Sequence, residues 1–236
     1  MHKHPDSFLE PRALGKQFPP YKPTFTFAGE YIDDFHKSIG ASAKESSLIN
    51  LDAVLGTAIK GWLRRADALK LYEIAYFVHG DILELGSYHG LSTCILSKAN
   101  LNSGRAKRIH SVDLSSENCT KTMGSLEATG LNHSVEITCS EAAAAVRRLA
   151  ENASQFQFVF VDHSHSYLPV YEVCQLLPQV VSRGGFCLFH DFNDRRNEDP
   201  NEREYGVYRA VLNALKPEQF EFYGVYGCTA LYRKRS

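Results

Sequence analysis

Four carboxylates stand in or at the ends of apolar runs in this chain of 236 residues: Glu84 in ILEL, Asp113 after HSV, Asp162 after FVFV and Asp191 after CLFH. A single acid in such a place ordinarily caps the next helix. Four of them, at strand ends sharing one sheet edge, point to a ligand or a reaction. Asp113 comes 23 residues after Gly90, where an acid can accept both hydroxyls of a ribose. Its competing role is the N-cap of the following helix, with Ser115 or Ser116 as alternative caps. Asp162 and Asp191 are 29 residues apart, one βαβ unit, so they can close neighbouring strands. Carboxylates converging there suit a hard cation such as Mg²⁺, which could hold an acceptor hydroxyl and lower its pKa. His163, His165 and His190 fall in the same two spans. Without a metal, His165 or His190 would be the general base, since imidazole titrates near neutral pH. For either one, a structural hydrogen bond is the competing role.

The stretch that must position these groups runs from Gly80 to Ala99, GDILELGSYHGLSTCILSKA. Ile82, Leu83 and Leu85 predict a short strand covered on both faces. Glu84 inside it is costly unless something hydrogen-bonds to it. Gly86 and Gly90 suit a tight turn, and Ser92 and Thr93 open a helix that turns Leu91, Cys94, Ile95 and Ala99 to one face. A strand, a glycine turn and a helix N-terminus form a place for a small polar ligand. The pattern E-x-G-x-x-x-G-x-S differs from the glycine motifs of dinucleotide and phosphate cradles, which argues against a nicotinamide enzyme.

From Gly80 onward, strands and helices alternate. Strands are expected at 108–112, 135–139, 156–161 and 186–189. The helices between them bury Cys119, Met123 and Leu126, then Ala142, Val146 and Leu149, then Val170, Val173, Cys174 and Leu177. A charged loop over 193–204 leads to a helix with Tyr208, Val211, Leu212 and Leu215 inward. Strands at 220–223 and 228–232 close the chain around Gly224 to Gly227. Repeated βα units imply a mainly parallel, doubly wound α/β sheet, with ligands at the carboxyl ends of its strands. Before it, helices are expected at 33–39, from a Ser46 or Ser47 cap through Leu48, Leu51, Leu55 and Ile59, and from Asp67 to Gly80. Residues 1–30 interleave five prolines with five aromatic residues, which predicts an extended arm packed on the domain, a partner subunit or the site.

The formal net charge of -1 gives no global electrostatic case for nucleic acid. The six cysteines have no zinc spacing and read as small buried hydrophobes. With no apolar run of transmembrane length, the expectation is a reduced, cytoplasmic protein that binds no membrane.

The ELG-x-x-x-G-x-S turn, with the Asp162-to-Tyr167 stretch DHSHSY and the later His190-Asp191, resembles class I S-adenosylmethionine-dependent methyltransferases. The resemblance runs from Asp67 to Arg233 and is strongest to small O-methyltransferases of the catechol and macrocin types, with their cephalosporin-hydroxylase-like relatives. It implies a Rossmann-like sheet of seven strands, order 3-2-1-4-5-7-6 with an antiparallel last strand, over 67–236, behind an N-terminal arm and helices over 1–66. It implies S-adenosylmethionine at Glu84, Gly86, Ser87, Tyr88, Gly90, Ser92, Asp113, Leu114, Ser140, Glu141, Asp162 and His163. Asp162, His165, His190 and Asp191 would be catalytic, with Asp162 and Asp191 the ligands of a possible Mg²⁺. Ser164 and Phe192 depart from the family pattern and remove two oxygen donors, so metal binding and a histidine base both stand as readings. The implied acceptor is a small hydroxylated metabolite, and the aromatic arm hints at a homodimer. A hydroxylase-associated protein or a non-catalytic nucleoside binder on the same fold is the alternative.

Overall fold

The computed structural model describes residues 31–42, 48–199, 201–202 and 204–235. The proline-aromatic arm and the Ser46 or Ser47 cap lie outside them. The sheet has seven strands: β1 (Ile82–Leu85), β2 (Ile109–Asp113), β3 (Val135–Cys139), β4 (Phe156–Val161), β5 (Val181–Phe189), β6 (Phe220–Tyr226) and β7 (Thr229–Lys234). Their spatial order is β3-β2-β1-β4-β5-β7-β6. The first five are parallel, and β7 runs antiparallel between β5 and β6. This is the expected topology.

Eight helices accompany the sheet among the described residues: α1 (Asp34–Ala41), α2 (Asp52–Leu55), α3 (Arg65–Phe77), α4 (Leu91–Ser103), α5 (Ser116–Thr129), α6 (Ala142–Glu151), α7 (Tyr167–Val180) and α8 (Val207–Ala214). Strand alternation divides the core in two. Ile82, Ile109, Phe158 and Phe160 pack with α1, α3 and α4 on one face. Leu83, Leu85, Val159 and Val161 pack with α6, α7 and α8 on the other. Each buried aliphatic or phenyl side chain contributes about 1.5–3 kcal/mol. Phe35, Ile39, Leu51 and Leu63, all ahead of α3, belong to the first of these clusters.

The segment before α3 departs most from the expected helix. Leu48 makes an isolated antiparallel bridge to Arg64, and only one turn, α2, is helical before Gly56 ends it with positive φ. Ile49, Leu51, Ile59 and Leu63 are each buried without forming one helical face. Of the four residues at helical spacing, Leu51 and Ile59 are buried from a folded-back strap while Leu48 is 51% exposed, a tertiary outcome that periodicity does not distinguish. Smaller differences follow from rotation about helix axes. Thr122, not Met123, faces inward on α5, where Met123 is 47% exposed. On α8 the buried residues are Val207, Ala210 and Val211, with Tyr208 and Leu212 only partly covered. Five cysteines are buried and unpaired; Cys139 is exposed. Among the described residues no helix is long and apolar enough to cross a membrane.

Candidate active site

The parallel register carries past the strands and sets their exits side by side. Ser140 N donates to Asp113 O, Gly86 N to Val112 O, Asp162 N to Leu85 O, and His190 N to Val161 O, at 2.7–3.0 Å. The exits of β3, β2, β1, β4 and β5 therefore lie along one edge in that order. The loop after each strand can take only the space its neighbour leaves. Gly86 shows this most sharply: a Cβ there would lie 2.1 Å from the Asp162 carbonyl oxygen, and its φ is +96°. The glycine is required by the close approach of two strand exits, independently of any ligand.

Two cavities open along this edge. One, of about 510 Å³, lies over the ends of β2 and β3, with Asp113, Leu114, Ser140, Glu141 and His163 in its wall. The other, of about 450 Å³, lies over β4 and β5, with Ser92, His190, Asp191, Tyr205 and Cys228 in its wall. Trp62, Gly86, Tyr88, Asp162 and His165 line both. Tyr88 and Asp191 hold positive φ values of 49° and 56°. For a tyrosine in particular this is a strained backbone, held by the surrounding structure.

In the first cavity Leu114 is 74% exposed and offers an apolar face. The Asp113 carboxylate is buried and heavily used. Oδ2 accepts from the Ser87 and Tyr88 backbone N–H groups at 3.1 and 2.9 Å. Oδ1 accepts from Ser115 N and Asn118 Nδ2 at 2.9 and 3.1 Å. The N-cap of α5 is Ser115, so the carboxylate instead moors the β1–α4 turn. Glu141 is the N-cap of α6, accepting from Ala143 N and Ala144 N; the Ser140 hydroxyl accepts from Arg148. Both ring nitrogens of His163 are buried without a hydrogen-bond partner, and burial lowers its pKa.

Glu84 lines neither cavity. Strand parity turns it to the α4 face, fully buried, where Oε2 accepts from Thr93 and Ser111 hydroxyls at 2.6 Å each. Burial raises its pKa to about 7, against the pull of those hydroxyls. Ser87 and Ser92 are nearly buried beside Gly86 and Gly90 at the start of α4.

The second cavity holds the ionisable cluster. His165 Nδ1 lies 2.6 Å from Asp191 Oδ2. His190 Nδ1 lies 3.0 Å from Asp162 Oδ1 and 3.3 Å from Asp191 Oδ2, and its Nε2 lies 3.8 Å from Asp67 Oδ2. None of the His190 contacts has hydrogen-bond geometry, so the attraction is between charges. Burial pulls the His190 pKa down, but Asp162, Asp191 and Asp67 outweigh it and hold it well above the ordinary value. The hydrogen bond to Asp191 raises His165 against its partial burial. Burial pushes the Asp191 carboxyl up, but the two histidines outweigh it and hold it well below the usual carboxylate range.

The catalytic candidates Asp162, His165, His190 and Asp191 are thus brought together. Asp67, Tyr205 and Arg196 were not singled out as site residues from sequence. Asp67 reads locally as a helix opener, and its carboxylate does accept from Arg64 N. Tyr205 stacks on His165 with ring centroids 4.8 Å apart, and Arg196 lies over Tyr205 at 3.7 Å. The aromatic residue ending an otherwise charged loop was the available signal. Tyr167, at the end of the DHSHSY stretch, is turned away and stacks on Tyr171.

Asp162, His190 and Asp191 offer one ligand atom each within 4.8 Å of one another. Mg²⁺ prefers oxygen ligands in octahedral array. Here the third donor is an imidazole, and the next residue, Phe192, is a buried phenyl ring. The imidazole departs from the all-oxygen array that Mg²⁺ prefers.

Residues 83–192 match the methyltransferase-domain family. The fold is similar to the O-methyltransferase TomG from Streptomyces achromogenes, involved in tomaymycin synthesis and crystallised with SAM. The TM-score is 0.60 at 17% identity, over 85% of this chain and 90% of that one. An O-methyltransferase from Bacillus cereus in complex with SAH aligns with a TM-score of 0.55 at 16% identity, over 86% and 91% of the two chains. An SAH-bound methyltransferase from Podospora anserina aligns at 0.59 and 14% identity, over 75% and 80%. No curated protein matches the chain.

Proposed function

We propose that this chain, class I methyltransferase in fold with a methyltransferase domain over residues 83–192, transfers the methyl group of S-adenosylmethionine to a hydroxyl of a small metabolite. One observation carries the reading: His165, held at Nδ1 by Asp191, stands where the two cavities meet. A reaction between two bound molecules needs such a junction, and holding them there supplies much of the rate.

When bound, S-adenosylmethionine supplies a methyl group on a positively charged sulfur. Leu114 would pack against its adenine, Ser140, Glu141 and His163 would border it, and the unpartnered His163 nitrogens suit a polar ligand atom. The ribose would lie by Asp113; its hydroxyls would take over the lone pair now given to the Asn118 amide, since the turn N–H groups hold the rest. Ser87, Tyr88 and Gly90 would border the methionine end, and the first-turn N–H groups of α4, at Leu91 and Ser92, would bind its carboxylate.

Asp191 fixes His165 as the Nδ1–H tautomer, which leaves Nε2 to take the acceptor proton. Asp191 and Asp162 stabilise the imidazolium that results. His190, positively charged in its buried place, keeps the two carboxylates from repelling each other and positions Asp191. No step requires a metal.

Calorimetric titration with S-adenosylhomocysteine, repeated with Mg²⁺ and with a chelator, tests the cofactor site. Micromolar binding is expected, changing less than about twofold between the two conditions. Transfer of labelled methyl to a panel of hydroxylated compounds then tests the reaction. No binding under any condition would remove the methyltransferase reading.

A further inference from the structure

The wall of the second cavity carries a guanidinium that methyl transfer does not explain. Three cationic side chains line it besides the histidines: Lys60, Arg64 and Arg196. Arg196 is neutralised by a bidentate pair with Asp194, at 2.8 and 2.9 Å. Lys60 lies over the rings of Trp62 and Tyr88, at 5.3 and 5.7 Å from their centroids. Arg64 is half-buried and among the described residues has no carboxylate partner. Only its backbone is tied down, by the N–H bond to Asp67. Withdrawing a guanidinium partly from water without a counter-ion is unfavourable, and a bound anion would remove the cost. Arg64 lies towards Cys228, whose thiol feels its charge. Cys228 in turn contacts Asp191, on the β5 side of the cavity. The guanidinium therefore lines the second cavity, beside the His165–Asp191 pair and away from Asp113 and Leu114. Trp62, 56% exposed at the junction of the cavities, lies beside Tyr88 with ring centroids 4.8 Å apart.

Resting on the methyltransferase reading, we propose that the acceptor is a hydroxylated compound with an anionic group, a carboxylate or a phosphate, that pairs with Arg64. Arg64 sets the distance from the anion to the hydroxyl beside His165. A guanidinium gives a planar, fork-shaped match to either anion.

The test uses full-length protein saturated with S-adenosylhomocysteine. Matched pairs of hydroxybenzoates and dihydroxycinnamates, each as free acid and as neutral methyl ester, are titrated against wild type and Arg64→Gln. The acids are expected to bind about 10- to 100-fold more tightly than their esters, the range for one charge-assisted interaction. Arg64→Gln should remove that preference and leave ester binding and S-adenosylhomocysteine affinity within about twofold. Equal binding of acid and ester, or binding of neither, overturns the proposal. So does a tenfold loss of S-adenosylhomocysteine affinity in Arg64→Gln, which would assign the guanidinium to the cofactor carboxylate. Failure of wild type to bind S-adenosylhomocysteine at all would instead remove the methyltransferase reading beneath it.

Discussion

Replacing Glu84 with Gln should make the protein more stable at neutral pH and much less so at pH 4.5. Glu84 is fully buried on β1, and Thr93 and Ser111 hydroxyls satisfy only Oε2. Burial raises its pKa from 4.5 to about 7. A carboxyl raised in the fold costs nothing while both states are protonated. Between pH 4.5 and about 7 the unfolded chain ionises it and the fold does not. Stability then falls by about 1.4 kcal/mol per pH unit, about 3 kcal/mol in all, and levels off above. A glutamine of the same shape does not titrate, and the two hydroxyls can rotate to meet its amide. The quantity to measure is the difference in urea unfolding free energy between Glu84→Gln and wild type, at pH 4.5 and pH 7.5. It should grow by about 3 kcal/mol in favour of the variant. Any fixed cost of the amide cancels in that comparison. A difference independent of pH, or one that shrinks as pH rises, would refute the reasoning and mean that the carboxylate is charged and paired in the fold.

Two further perturbations bear on the site. Asp191→Asn removes the hydrogen bond that raises His165. His165 must be neutral to accept a proton, so the acidic limb of kcat/KM should lie above pH 6.5 in wild type and move to lower pH in the variant. The plateau should fall about 100-fold or more as the tautomer is lost; an unmoved limb would exclude His165 as the base. Gly86→Ala places a methyl group 2.1 Å from the Asp162 carbonyl oxygen at a φ of +96°. The backbone conformation alone costs about 1–3 kcal/mol, so the thermal midpoint should drop and S-adenosylhomocysteine titration should lose most of its signal; an alanine variant with wild-type affinity would contradict the close approach of β1 and β4.

The strand-by-strand reading held where burial on both faces made the apolar runs continuous, from Ile82–Leu85 through Phe156–Val161. Gly130 ends α5 and Asp33 caps α1, residue types with one local use. The reading failed between Leu48 and Ile59, because apolar residues at helical spacing do not say whether a helix or a folded strap carries them, nor which of them reach the core. Met123 and Thr122 exchange places for a related reason: a rotation of one residue about a helix axis leaves the pattern almost unchanged.

The site divides along the same line. Chain order alone determined that Glu84, Asp113, Asp162 and Asp191 would gather at one sheet edge, because right-handed βα units place every parallel strand's carboxyl end on the same side. Tertiary structure decided what each acid does there. Parity turned Glu84 beneath α4, and the approach of β1 to β2 committed Asp113 to the turn N–H groups. Packing of β7 beside β5, with the start of α3 at the same edge, surrounded His190 with three carboxylates drawn from positions 67, 162 and 191. Those partners are separated by up to 124 residues of chain, and local sequence carries no information about charges that meet only when the sheet closes.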